Sequence, residues 1–498
     1  MKLLTYYKII GLILLTAVFP LKEGNAGNII YPWRATAVIV EQGSNFNILF
    51  NNLTFQKIDS VKLISDFYNE ILNIDSINTG RFEYDHYTKK AVNNQIWVKT
   101  SDAIPEDLYN LFIYSKGQIY SSPMSVKIIH KFKKTHTFIH ISDLHISRQW
   151  VGEPQKGYAK ELELFSGFVK VANIISPDFI LITGDNIMDY TMLNADQTGW
   201  GGERIYEADK RPLVEEKYKN LFWGVNGFSG IYGLNSPTFL IPGNHDFYGV
   251  AQDNYFAKCL QWNELMGKRV HGFIYAGTRV ILADDSIGDP VTEIPDSAPM
   301  SGIQGEIHEK FLEENGKGSL RILTQHKHNN VDTAFLNKNK INILLNGHNH
   351  TPHEEMIGNT PTFAARTGVV CRSGEIKNWE KNLGFFRIFN IDDDTFQYSD
   401  PVRFCQNPAS AFEDFELNLT LKYKNPNDGT YRENKAEIKN LLPVDLKNCK
   451  IRFIMTNGKY DISDGEIMQT INNGKLSVVD VNFNIQSEEE KTIIIKPL

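Results

Sequence analysis

The stretches TFIHISDLH (Thr137–His145), LELFSGFVKVANII (Leu162–Ile175) and DFILITGD (Asp178–Asp185) decide the fold of this chain. The first is an apolar strand. The second carries Leu162, Phe165, Phe168, Val169 and Ala172 at helical spacing, and Pro177 ends that helix before the third, another apolar strand. Strand, helix and strand in that order form a βαβ unit, the mark of a layered α/β domain. Further strands follow in PTFLIPGNHD (Pro237–Asp246), RVILADDS (Arg279–Ser286), RILTQHKH (Arg321–His328) and INILLNGHNH (Ile341–His350). TFAARTGVV (Thr362–Val370), GFFRIFNID (Gly384–Asp392) and TFQYSD (Thr395–Asp400) are expected to close the domain as a meander, with Asp392–Asp394 as a hairpin turn.

Outward from this unit the rhythm changes. From Ile29 to Phe132 short β-rich runs alternate with Gly, Asn, Asp and Pro, which reads as an immunoglobulin- or fibronectin-like β-sandwich. KFKKTHT (Lys131–Thr137) is a charged hinge into the α/β domain. After Cys405 the strand-and-turn rhythm returns and indicates a second, small immunoglobulin-like β-sandwich. The expected organisation is therefore residues 27–132, 133–404 and 405–498, preceded by a signal peptide over 1–26.

Composition agrees with a multidomain globular chain. At 498 residues there is room for three or four domains, and a small disulfide-held module is excluded. Hydrophobic residues at 42% and charged residues at 22% argue against wholesale disorder and against a multispan membrane protein. At the start, Lys2 and Lys8 precede an apolar run from Ile9 to Phe19, and Gly24 and Ala26 are small residues two apart, the pattern of an export signal cleaved after Ala26. That run is too short to span a bilayer, so no membrane span is expected once the signal is removed. No Cys stands just after the cleavage site, so the expectation is a free secreted or periplasmic protein. Its removal takes the net charge from −7 to −9, which argues against a nucleic-acid partner. Of Cys259, Cys371, Cys405 and Cys449, the pair expected to bond, if any does, is Cys371 with Cys405, at the same edge of the meander.

Each of five strands in the α/β domain ends in metal-ligand side chains: Asp143 and His145, Asp185, Asn244 and His245, His326, then His348 and His350. One such residue alone is more often a cap or a turn. Five clusters at the carboxyl ends of strands, where ligands bind in α/β sheets, point to one site. In Asp143-Leu144-His145 and His348-Asn349-His350 the outer side chains are two apart, so an extended chain would aim each pair at one centre. Asp185 has two oxygens and follows Gly184, which makes it the natural bridge between two ions. Two divalent ions against two aspartates leave a local charge near +2, suited to a phosphate anion and a bridging hydroxide. Mixed nitrogen and oxygen ligands suit manganese, iron or zinc.

The ordered set SDLH, GDNIMD, GNHD, QH and GHNH resembles the calcineurin-like metallophosphoesterase superfamily. The resemblance runs from Asp143 to His350 and says nothing direct about the flanks. It implies a four-layer αββα sandwich, with one metal held by Asp143, His145, Asp185 and His350 and a second by Asp185, Asn244, His326 and His348. It also implies that His245, oriented by Asp246, contacts the phosphate or protonates the leaving oxygen. Departures narrow the family reading. Met188 stands where purple acid phosphatases have their tyrosine, and the GDxxDRG pattern of protein Ser/Thr phosphatases is absent, so a phosphoprotein substrate is disfavoured. Lys327 and His328 replace the common small residue and proline after His326. His328 reads first as a solvated loop residue and second as a phosphate contact. Asp284 reads first as a turn residue and second as support for a metal-bound histidine. Trp200, Trp223 and Phe228 lie in an insertion between Thr191 and Gly233 that either walls a pocket or packs on the domain. Asn52 and Asn418 begin glycosylation sequons, which matter only in a eukaryotic source.

The leading reading is an exported, binuclear, metal-dependent hydrolase of a small-molecule phosphate monoester or diester. The alternative is a catalytically idle metallophosphoesterase fold that acts as a binding or scaffold protein through its β-sandwiches, which in either case could hold a further partner. The exported chain is expected to begin at Gly27; N-terminal sequencing that returns Met1 would refute the signal assignment.

Overall fold

The computed structural model describes residues 29–51, 58–146, 161–187, 190–193, 203–206, 211–247, 254–287, 300, 302–314, 320–367, 384–406 and 416–498. The signal segment, the first sequon, Met188, Trp200 and Cys371 lie outside the described residues. Through the α/β region the elements run β1 (Thr135–Ile141), α1 (Glu161–Ile175), β2 (Phe179–Thr183), α2 (Arg211–Trp223), β3 (Thr238–Ile241) and α3 (Tyr255–Leu265). They continue with β4 (His271–Tyr275), β5 (Thr278–Leu282), α4 (Ile303–Glu314), β6 (Arg321–Thr324), α5 (Thr333–Lys338) and β7 (Ile343–Asn346). The last are β8 (Glu354–Ile357), β9 (Thr360–Ala364), β10 (Phe385–Asp392) and β11 (Thr395–Tyr398).

The fold is mixed α/β. One sheet has the order β3-β2-β1-β10-β11, with β1, β2 and β3 parallel and β10 antiparallel to β1. The other has the order β4-β5-β6-β7-β9-β8, parallel from β5 to β9. Alternation along the strands sorts the side chains by face. Phe138, Phe179, Leu181, Phe239 and Ile241 of the first sheet share a core with Val280, Leu282, Ile322, Ile343, Leu345 and Phe363 of the second. Ile139, Ile141, Ile180, Ile182 and Leu240 face α1 instead. On the far side of the second sheet, Ile281, Leu323 and Leu344 pack on Leu312 of α4 and on Phe335 and Leu336 of α5.

The expected meander is split between the sheets. Thr360–Ala364 runs parallel to β7 in the second sheet, whereas Phe385–Asp392 pairs with β1 in the first. Only β10 and β11 form a hairpin, with Asp393 in its turn as expected. The shared meander edge that would have placed Cys371 beside Cys405 is therefore absent; Cys371 lies outside the described residues, and Cys259, Cys405 and Cys449 are buried free thiols.

On the amino-terminal side, strands Asn45–Phe50 and Ala91–Lys99 of one sheet and Ser60–Ile64, Asp107–Ser115 and Gln118–Ile129 of another enclose Phe46, Ile48, Val61, Leu63, Ile96, Val98, Leu111 and Ile113. Strand Asn73–Glu83, at one edge, is almost wholly exposed and carries no apolar alternation that sequence could reveal. On the carboxyl-terminal side a four-stranded and a three-stranded sheet bury Ala436, Ile438, Ile451, Phe453, Val479 and Val481. This core is continuous with α1, whose residues are buried almost all round because it has the first sheet on one side and these strands on the other. Among the described residues no helix is long and apolar enough to cross a membrane.

Polar ties join the amino-terminal sheets to the α/β unit. The Trp33 indole donates to the Leu265 carbonyl at 3.1 Å. Arg269, whose side chain is fully buried, lies 2.7 Å from Asp284 and 3.3 Å from Asp85. Asp85 also accepts from the amides of Tyr87 and Thr88, so the guanidinium fixes a turn of one unit against a strand end of the other. Asp284 is thus committed to Arg269 and to the turn amides of Ser286 and Ile287. Removing the cation strands two buried carboxylates, so Arg269→Met should destabilise the chain by about 3–5 kcal/mol. Denaturant unfolding that shifts by less than about 1 kcal/mol would contradict this account.

Candidate metal centre

The site residues follow the carboxyl ends of β1, β2, β3, β6 and β7, and the two sheets bring all of them to one edge of the sandwich. Their backbone is not extended. Asp143, His145, Asp185, His348 and His350 all have positive φ, between 49° and 70°, and Asn244–Phe247 is a 3-10 turn. Left-handed conformations cost a non-glycine residue free energy and collect at functional sites. The pairs Asp143/His145 and His348/His350 therefore converge through twin left-handed turns, rather than through the same-face geometry of a strand.

Two ligand sets result. In one, single oxygen or nitrogen atoms of Asp143, His145, Asp185 and His350 lie within 4.8 Å of one another; in the other, those of Asp185, His326 and His348 do. Asp185 belongs to both. Its Oδ2 is 3.1 Å from His326 Nε2, 3.6 Å from His145 Nε2 and 3.9 Å from His245 Nε2. Asn244, the remaining expected ligand, is half-buried, and its Oδ1 has no hydrogen-bond partner among the described residues. His245 is buried beside the first set, its ring 4.9 Å from that of His145.

The donor chemistry fits divalent cations. His145 Nε2 and His350 Nε2 lie 3.2 Å apart, so one donates to the other, or both turn lone pairs to a cation when one is bound. Asp185 Oδ2 and His326 Nε2 are buried without hydrogen-bond geometry. His326 gives its Nδ1 to the Thr183 carbonyl at 2.7 Å, which fixes the ring and leaves Nε2 for the site. Burial alone would lower the basicity of His326, but the Asp185 carboxylate outweighs it and pushes the pKa up to about 10. Burial likewise works against ionised Asp143, yet His145 and His350 hold its carboxyl well below the usual range. A buried anion pair of this kind demands positive charge.

Neighbouring groups pin the loops. The expected orientation of His245 by Asp246 is not what the carboxylate does: Asp246 accepts from the amides of Gly243, Asn186 and Ile187, from the Asn186 side chain and from the Tyr218 hydroxyl. It ties the loop of Asp185 to that of Asn244, and burial and the Asp185 charge raise its pKa to about 6. His245 itself is held by its own amide, which donates to Asp185 Oδ1 at 2.9 Å. Asp285, rather than Asp284, supports the QH loop by accepting from the amides of His326 and Lys327. Arg366 donates to the His350 carbonyl at 2.7 Å. Neither role left a signal in the sequence beyond a polar residue at a strand end. His328 is half-buried, with its ring 6.2 Å from that of His348, so it stands at the rim and is not among the grouped ligands.

Residues 136–352 match the family model of calcineurin-like phosphoesterases. That match supports a phosphate-ester hydrolase. Among solved structures it is similar to a predicted phosphoesterase from Streptococcus pneumoniae (13% identity, 53% of this chain and 87% of that one, TM-score 0.22). It is also similar to GAP50, the anchor in the inner membrane complex of Plasmodium (11%, 58% and 90%, TM-score 0.32). A third is a putative 5′-nucleotidase from Staphylococcus aureus (15%, 54% and 53%, TM-score 0.30). No curated protein matches the chain.

Two glycines leave room for the carboxylates. A Cβ on Gly243 would lie 2.3 Å from Asp185 Oδ1 and 2.2 Å from its amide, and one on Gly347 would lie 2.4 Å from Asp143 Oδ2. Gly243→Ala should therefore displace Asp185 and reduce kcat/KM by about 100-fold, the scale of a misplacement near 1 Å. Full activity in that variant would show that the Asp185 position is not critical.

Proposed function

We propose that the chain is an exported phosphoesterase that works with two divalent ions, manganese, iron or zinc, on a small-molecule phosphate monoester or diester. The observation that carries this reading is the sharing of Asp185 between two ligand sets. Asp143, His145, Asp185 and His350 would hold one ion, and Asp185, Asn244, His326 and His348 the other. When bound, the ions supply Lewis acidity to the phosphoryl oxygens and a nucleophile at neutral pH. His245 stands beside His145 and Asp185, its Nε2 3.9 Å from Asp185 Oδ2, and gives its proton to the departing oxygen as the P–O bond breaks. Asp246 is a positioning residue that keeps the two loops in register. The idle-scaffold alternative is disfavoured because no expected ligand position is missing from the sequence and the Asp and His side chains converge.

Around this centre we read a four-layer αββα sandwich over 133–404, with β-sandwiches over 27–132 and 405–498. The charged start, short apolar core and small residues up to Ala26 support removal of 1–26 and a secreted or periplasmic location. No nucleic acid enters this reading, and the flanking sandwiches remain open to a separate partner.

Turnover of p-nitrophenyl phosphate and of its bis-ester, with and without added manganese, tests the proposal. Metal-dependent hydrolysis of either supports it and assigns the ester class; no turnover of either with manganese, iron or zinc overturns it. His245→Ala should lower kcat by about 100- to 10,000-fold on an alkyl ester, and less on a p-nitrophenyl ester, whose leaving group needs no proton. Metal content should stay unchanged. Loss of an ion, or equal slowing of both esters, would replace the general-acid role by a ligand or phosphate-positioning role.

A further inference from the structure

At the opposite end of β1 and β2 from Asp143 and Asp185 lies a cleft bounded by all three parts of the chain. Lys127 reaches it from the amino-terminal sheets, Lys131 and Lys133 from the charged hinge, and Lys447 and Lys450 from the carboxyl-terminal strands. His136, Asp178 and Tyr275 also line it. With a rise of about 3.3 Å per residue, the length of β1 puts it roughly 20 Å from the metal centre. The cavity holds about 90 Å³, several times what one water needs.

The charge in this cleft is not balanced. Three carboxylates line it, and each is already engaged. Asp178 accepts from the Tyr275 hydroxyl at 2.5 Å and from the Thr137 amide at 2.8 Å. Glu106 accepts from the His130 amide. Asp480 is held by both arms of Arg452, at 2.7 and 2.9 Å, and stands 3.7 Å from Lys450. Against them, Lys131, Lys133 and Lys447 have neither a side-chain hydrogen bond nor an ion pair among the described residues. Lys127 has only the Asn235 carbonyl, at 3.3 Å. Burial, then the charge of Lys450, pushes the Lys127 pKa down to about 8. Ammonium groups crowded into a partly desolvated cleft repel one another, and a multivalent anion relieves that repulsion.

We infer that this cleft is an anion site for a small tetrahedral oxyanion of the phosphate class, clamped jointly by the hinge and the two flanking units. The site is separate from the hydrolytic centre and does not depend on the ester specificity proposed above. Because its lysines come from different parts of the chain, an anion bound there favours the docked arrangement of all three.

The test uses the full-length protein with its metals, titrated calorimetrically with inorganic phosphate and with sulfate. A double variant, Lys133→Ala/Lys447→Ala, removes two exposed cations and should fold; Lys447→Glu is the second variant should the first be unstable. Binding at the cleft should weaken at least tenfold in either variant, while turnover of p-nitrophenyl phosphate stays unchanged. The wild-type melting temperature should rise with sulfate more than with sodium chloride at equal ionic strength. Equal oxyanion affinity in wild type and both variants would overturn the inference. So would a melting shift that sodium chloride reproduces, which would mean screening alone.

Discussion

Everything at the catalytic edge depends on how one buried carboxylate is held. Asp185 is fully buried, its backbone is left-handed, and its Oδ2 faces three imidazoles without a formal hydrogen bond. Left alone, such a group would neutralise itself by taking up a proton. Here histidine nitrogens and the His245 amide keep it ionised, so the site retains negative charge that a cation can answer. Five residues in left-handed backbone add strain of order 1–3 kcal/mol each, which the surrounding core must outweigh. That core is the apolar layer between the two sheets, from Phe138 and Phe179 to Ile322 and Phe363. Its rigidity turns the ends of five strands into one preformed site.

The Asp and His residues that the fold groups are legible in the sequence because each stands just after an apolar strand run, where composition changes abruptly. Their geometry is not. Spacing of two suggested extended pairs, but the turns that bring Asp143 to His145 and His348 to His350 are left-handed, and no propensity of Asp or His requires that. The strain is imposed by the loops around them. Asp246 and Asp285 show a related limit, since a carboxylate beside a histidine in sequence reads as its partner. In the fold, both accept mainly backbone amides and so shape loops.

Strand partners were harder still. Alternation identifies a strand but not the sheet it joins, so Thr360–Ala364 and Phe385–Asp392 looked like neighbours although they lie in different sheets. The exposed edge strand Asn73–Glu83 lacked even alternation, because neither of its faces is buried enough to demand it. Helix α1 was visible through its apolar spacing. Its second buried face was not, because the carboxyl-terminal strands that cover it come more than two hundred residues later.

That second face gives the flanking sheets a physical link to the chemistry. Helix α1 lies against Ile139 and Ile141 of β1 and Ile180 and Ile182 of β2, the strands that end at Asp143 and Asp185. Its other side is packed against Leu419, Ala436, Ile451 and Phe453 of the carboxyl-terminal sheets. Close-packed interiors transmit displacement, because a shift of a buried helix opens a void on one side and an overlap on the other. The carboxyl-terminal unit therefore acts on the metal centre without approaching it, by fixing the helix that backs both aspartate-bearing strands. The amino-terminal unit does the same from the other direction through Arg269, which anchors the end of β5 beside Asp285, the carboxylate that holds the His326 loop. Ligands from both sheets are thus braced from outside the catalytic domain.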